Sequence, residues 1–156
     1  MRDILRRHRG AQPQTDRFAA DIAEHRRMEH ALIASEAFAK ATLDAAAAQI
    51  CVLDATGVIL AVNQAWRDFY TSNTGHPAPP DVSIGSNYLA TCECAHGTDS
   101  AEAGAMAEGI RQVMRGDAVE FSLEYPCHSP TENRWFIGRV TRFNDGSGNV
   151  VVAHEN

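Results

Sequence analysis

At 156 residues and 17.0 kDa, the chain has room for one domain and an appendage, and its 44% hydrophobic residues suffice for a packed core. Residues 1–30 carry seven arginines against five acids and the remainder seven basic residues against fifteen acids, for a net charge of −6; so acidic a body argues against nucleic acid, which is bound through a basic face over phosphates. No apolar run nears the roughly 20 residues of a membrane span, and no apolar stretch follows Met1-Arg2-Asp3-Ile4-Leu5-Arg6-Arg7 as a secretory leader requires, so a cytoplasmic location is expected.

The first 14 or so residues contain Arg-Gly and Gln-Pro-Gln breakers and read as a frayed end. Thr15 or Asp16 is placed to cap a long helix running to about Ala47, along which Phe18, Ile22, Met28, Leu32, Phe38 and Leu43 recur at mostly helical spacings. The heptad is imperfect and the stripe narrow. Such a helix cannot bury itself alone, so it is expected to pair with a second copy, through Phe18, Ile22, Met28, Leu32 and Phe38, or to lie on the domain. Residues 1–47 are therefore assigned to a flexible segment and a dimerising linker helix, and residues 48–156 to a globular domain.

That domain opens with two apolar runs, Ile50-Cys51-Val52-Leu53 and Val58-Ile59-Leu60-Ala61-Val62, around the turn Asp54-Ala55-Thr56-Gly57, which predicts a β-hairpin. Asn63 then caps a helix carrying Trp66, Phe69 and Tyr70. Gly75-His76-Pro77-Ala78-Pro79-Pro80 forbids regular structure, and a loosely helical or coiled region follows through Tyr88 and Cys92. The clearest helix starts near Asp99-Ser100, presents Ala103, Met106, Ala107, Ile110, Val113 and Met114 on its apolar face, and ends at Gly116. Three strands close the chain, over about 118–125, 133–143 and 148–154. The first two are joined by Pro126-Cys127-His128-Ser129-Pro130-Thr131-Glu132 and the last two by Asn144-Asp145-Gly146-Ser147. Two opening strands, a helical middle and three closing strands predict an α+β protein, one antiparallel sheet with its helices on one face.

The order and the residues filling it resemble a PAS domain of the bacterial sensory type found in multidomain sensor histidine kinases and cyclic-di-GMP signalling proteins. The resemblance rests on Val52-Leu53-Asp54-x-x-Gly57-Val58-Ile59-x-x-Val62-Asn63-x-Ala65-Trp66, on Gly85-x-Asn87-Tyr88-Leu89, on Gly109-Ile110 and Gly116, and on Tyr125-Pro126-Cys127-His128-Ser129-Pro130 with Arg134-Trp135-Phe136. It covers about residues 40–155. It implies a PAS fold with a five-stranded antiparallel sheet, a sensory rather than enzymatic role, a homodimer signalling through its N-terminal helix, and an output module, kinase or cyclase, in cis or trans. Family membership names no ligand.

Several constellations carry possible chemistry. Met106, Ile110 and Val113 are expected to face Phe121, Leu123 and Tyr125, with Trp66 and Tyr70 at the rim, forming a pocket for a small molecule; the same residues also suffice to fill the core of an interaction module. The four cysteines, at 51, 92, 94 and 127, lack the spacing of a disulfide scaffold and read as free thiols. Cys92, Cys94 and Cys127 with His96 or His128 have the donor types that suit zinc, although Cys-x-Cys is less apt than Cys-x-x-Cys. Haem would need an axial donor, for which His96 is the one near the long helix. No cofactor is favoured, and a haem or zinc sensor stands as the alternative. Cys127 and His128 are sequence neighbours whose side chains diverge in extended chain, so they form no catalytic dyad, and no catalytic residue is assigned.

Overall fold

A computed structural model describes residues 12–95, 100–127 and 134–156. The chain divides into two compact units, one up to Ala41 and one from Thr42 to Asn156. The described residues of the first are helical. Helix α1 spans Gln12–Asp44, so it begins a turn before the expected cap and stops three residues short of Ala47. Phe18, Ile22, Met28 and Leu32 are all more than half exposed along it, and Phe38 is 75% exposed. At 3.6 residues per turn, Phe18, Ile22 and Leu32 share one side while Phe38 falls on the far side.

The second unit holds the antiparallel sheet expected from the pattern. Strands β1 (Gln49–Leu53), β2 (Ile59–Val62), β3 (Glu120–Pro126), β4 (Trp135–Arg142) and β5 (Val150–Glu155) lie in the order β2-β1-β5-β4-β3. The last strand thus returns between the first and the fourth, and brings the two ends of the domain sequence together. Period-two alternation decides which face is inside. In β4, Phe136, Gly138 and Val140 are buried while Trp135, Ile137 and Arg139 face out; in β5, Val150, Val152 and His154 are buried. Helices α2 (Gln64–Thr74), α3 (Tyr88–Glu93) and α4 (Ser100–Arg115) complete the unit. Met106, Ala107, Ile110 and Val113 of α4 are the most buried side chains of that helix and join Cys51, Leu53, Val140, Val150 and Val152 in the core. Close packing of α4 on β3 needs Gly109, where any Cβ would run into the Phe121 ring.

Two local devices set where the helices start. Asn63, with no exposed surface, caps α2: its Oδ1 accepts from Trp66 N at 3.1 Å and from Ile50 N at 2.9 Å. Its Nδ2 donates to the carbonyls of Leu43, Ala46 and Ala48, at 3.2, 3.4 and 2.8 Å. The second device is the β1–β2 turn. Asp54 Oδ1 accepts from Thr56 N, Thr56 Oγ1 and Val58 N, which holds the Asp54 carboxyl below its usual range, and Gly57 takes φ +88°. Gly57 has no room for a side chain, since a Cβ would lie 2.7 Å from Leu89 Cδ1. The turn then receives α3: Tyr88 N donates to Gly57 O, Asn87 Nδ2 donates to Thr56 O, and Asn87 Oδ1 caps the helix at Ala90 N.

Replacing Asn63 by alanine removes a cap and strands two amide protons and the carbonyls of the 43–48 segment. The expected loss is about 2–4 kcal/mol, read as a lowered urea midpoint with unchanged slope.

Candidate ligand-binding site

Two cavities of about 220 and 190 Å³ lie between the inner face of the sheet and the helices. They share four residues: Tyr88 of α3, Tyr125 of β3, Cys127 just after β3, and His154 of β5. The larger is lined also by Cys92, Ala95, Glu102, Ala103, Met106 and Pro126, the smaller by Gln49, Trp66, Phe69 and Phe136. Both walls are mainly apolar, so the polar atoms stand out.

His154 is the centre of these. It is 6% exposed, and each ring nitrogen meets a tyrosine: Nε2 lies 3.1 Å from Tyr88 Oη and Nδ1 lies 2.7 Å from Tyr125 Oη. The Tyr88 ring stacks on the imidazole with centroids 6.3 Å apart, Tyr125 meets it edge-on at 5.8 Å, and Trp66 is tilted against it at 6.0 Å. Burial holds the imidazole low, down to about 4, and pushes the phenols of Tyr88 and Tyr125 up. At neutral pH the group is therefore a neutral imidazole between two intact phenols. Gly138 adjoins the group: a Cβ there would collide with the Met106 methyl and lie in ordinary contact, at 3.4 Å, with His154 Nδ1 and Tyr125 Cε1. Trp66 is fixed in turn by its Nε1, which donates to Ser83 Oγ at 3.3 Å.

Of the residues expected to form a pocket, Trp66, Met106 and Tyr125 line the cavities. Ile110 and Val113 are wholly buried in the core, and Tyr70, Phe121 and Leu123 pack against it. From sequence, Tyr88 stands out only within the Gly85-x-Asn87-Tyr88-Leu89 motif and not as a pocket residue, and His154 not as a site residue. A signal for each exists: Asn87 is a cap residue that fixes Tyr88 in the first turn of a helix, and the alternation Val150, Val152, His154 places the histidine on the inward face.

The metal candidates divide differently. Cys92 and Cys127 are half-buried at the cavity wall, Cys94 is the exposed C-cap of α3, and His96 and His128 lie outside the described residues. Among the described residues no group of three or more His, Cys, Asp or Glu is arranged to hold a metal ion. Cys51 is sealed in the core and burial pushes its thiol up to about 12, which makes it a poor nucleophile.

The architecture matches solved PAS domains. The chain is similar to the PAS domain of BvgS from Bordetella pertussis, with TM-score 0.54 and 16% identity over 82% of this chain and 89% of that one. It is similar also to the PAS domain of an HTR-like protein from Haloarcula marismortui, with TM-score 0.52 and 19% identity over 83% and 98% of the two chains. The photoactive yellow protein domain of the sensor histidine kinase Ppr from Rhodospirillum centenum aligns at TM-score 0.50 and 14% identity, over 75% and 92%. The fold is the PAS fold, as the motifs imply. No protein-family model matches the chain. In sequence it is 37% identical over 116 residues to an uncharacterised 104.1 kDa protein in the hypE 3′ region of Rhodobacter capsulatus; the match takes in 74% of this chain and spans only 12% of that protein's length.

The low affinity of His154 for a proton links stability to pH. The unfolded chain takes up this proton near pH 6.5, while the folded domain refuses it until about pH 4. Stability therefore falls as pH drops through this window, by about 2 kcal/mol between pH 7.5 and pH 5 from this group. Urea unfolding at the two pH values checks it, and His154→Gln is expected to remove that part of the slope.

Proposed function

We propose that the chain is a sensory PAS domain of a bacterial signal-transduction protein, which binds a small molecule beside Tyr88, Tyr125 and His154 and passes the change through α1 to an output module. The observation that carries this reading is the polar trio of Tyr88, Tyr125 and His154 set in a mainly apolar cavity wall next to open volume. Burying a histidine and two phenols costs desolvation that apolar side chains of similar size would avoid, and a filled interaction module has no need of it. The apolar side chains exposed along α1 support a homodimer, because a helix that leaves Phe18, Ile22 and Leu32 in water gains by pairing them. The output module, a kinase or cyclase in cis or trans, is what the PAS resemblance implies; the relative of 104.1 kDa is matched over only 12% of its length and so has room for further domains. Ligand binding shifts an equilibrium between two arrangements of the helix pair in proportion to its differential affinity for them.

Native mass spectrometry of the full chain is expected to show a co-purified small molecule. Gly138→Val, which fills the space between Met106, Tyr125 and His154, is expected to lose it at a stability cost of about 1–3 kcal/mol. Retention of the same mass by the variant would count against this site.

Ile22→Glu with Leu32→Glu in the full chain is expected to weaken the dimer at least tenfold by sedimentation equilibrium. An unchanged dimer would move the interface away from α1.

A further inference from the structure

The hydrogen-bond count around His154 leaves one proton over. A neutral imidazole has one N–H and one bare nitrogen, so of the two tyrosines that meet it one donates and the other accepts. The two contacts differ in length. The 2.7 Å separation of Tyr125 Oη from Nδ1 suits an O–H donor, whereas the 3.1 Å separation of Tyr88 Oη from Nε2 suits an N–H donor. We take the tautomer from these heavy-atom lengths, an inference and not an observation of the protons: Tyr125 donates to Nδ1, and Nε2–H donates to Tyr88 Oη. Tyr88 then keeps its own phenol proton, and among the described residues its hydroxyl has no second partner. Burial raises the Tyr88 phenol, so the proton stays in place at neutral pH. Tyr88 is part-buried and lines both cavities, so a molecule held there lies beside an O–H that has no acceptor among the described residues.

The surroundings restrict what can accept it. At about 220 Å³ the larger cavity has room for a molecule the size of a substituted benzene. Ala95, Ala103, Met106 and Pro126 give it an apolar body. No lysine or arginine lines either cavity among the described residues, while Glu102 presents a buried Oε2 with no partner on the wall of the larger one. A carboxylate entering here would meet an acid and no cation. We propose that Tyr88 is the ligand-reading residue of the cavity and that its hydroxyl donates to the carbonyl, ether or hydroxyl oxygen of a small, neutral, mainly apolar molecule. This rests on the ligand-binding reading above and adds to it the chemical class of the ligand and the group that selects it.

The test uses the full chain with 15N-labelled histidine and three probes of similar size: acetophenone, ethylbenzene and benzoate. Long-range 1H–15N correlation at pH 7.5 is expected to show His154 protonated on Nε2. Acetophenone is expected to bind about tenfold more tightly than ethylbenzene, the worth of one hydrogen bond, with benzoate weakest. Tyr88→Phe is expected to reduce acetophenone to the level of ethylbenzene and leave ethylbenzene unchanged. An Nδ1–H tautomer, tightest binding by benzoate, or an acetophenone preference that survives in Tyr88→Phe would each overturn the assignment. Entry of all three probes without discrimination overturns this inference and leaves the pocket standing, whereas no binding by any of them overturns both. The tautomer, measured on the unsubstituted chain, decides the matter even where Tyr88→Phe fails to fold.

Discussion

The second unit depends on one buried amide. Asn63 accepts two backbone protons, from Ile50 and Trp66, and gives its own to the carbonyls of Leu43, Ala46 and Ala48. With one side chain it joins the start of β1, the end of β2, the first turn of α2 and the segment leading into the sheet. Both ends of the amide are used to capacity. Neither aspartate nor leucine could replace it, the first because it has no donors and the second because it would leave every partner unpaired in a dry site. The direction in which α2 leaves the sheet, and hence the position of Trp66 beside His154, follows from this node.

A second chain of constraints leads from the β1–β2 turn to the cavity. Asp54 shapes the turn, Gly57 turns left-handed and leaves space for Leu89, and Asn87 reaches back to Thr56 while capping α3. Tyr88 is the residue between Asn87 and Leu89, so its ring is aimed by groups that never touch the cavity. The other side of the site is set by strand register. Pairing of Gly138 with Leu123 on one side and His154 on the other places a residue without a side chain beside His154, with Tyr125 one inward position further along β3. Helix α4 then brings Met106 over the gap.

The resulting interior is not uniform. Ile110, Val113, Val140, Val150 and Val152 make a dry core with no exposed surface, each aliphatic side chain contributing about 1.5–3 kcal/mol by burial. Part of that surplus offsets a polar cluster that weakens the domain in acid and holds open volume. The unit thus combines a rigid apolar half, which keeps the sheet intact, with a costlier polar half beside the open volume.

Much of this was legible in the residues because the signals are local. Alternation marked the strands, Asn63 and Gly116 marked helix ends, and the spacing of Met106, Ile110 and Val113 marked the face of α4 that enters the core. The motifs joined to that order identified the PAS fold. The site was less legible. Ile110, Val113, Phe121 and Leu123 share the apolar character of a pocket wall, and nothing in their spacing tells a lined cavity from a filled core. Tyr88 and His154 stand 66 residues apart, and what joins them is the return of β5 between β1 and β4. Helix spacing and strand alternation follow from the geometry of a few consecutive residues, so the sequence alone determined the strands, the helices other than the short α3, their order and the inward face of α4. Which inward side chains meet depends on strand order and register, a global closure that no short window contains, and only the tertiary structure decided that a tyrosine, a histidine and a second tyrosine share one cavity.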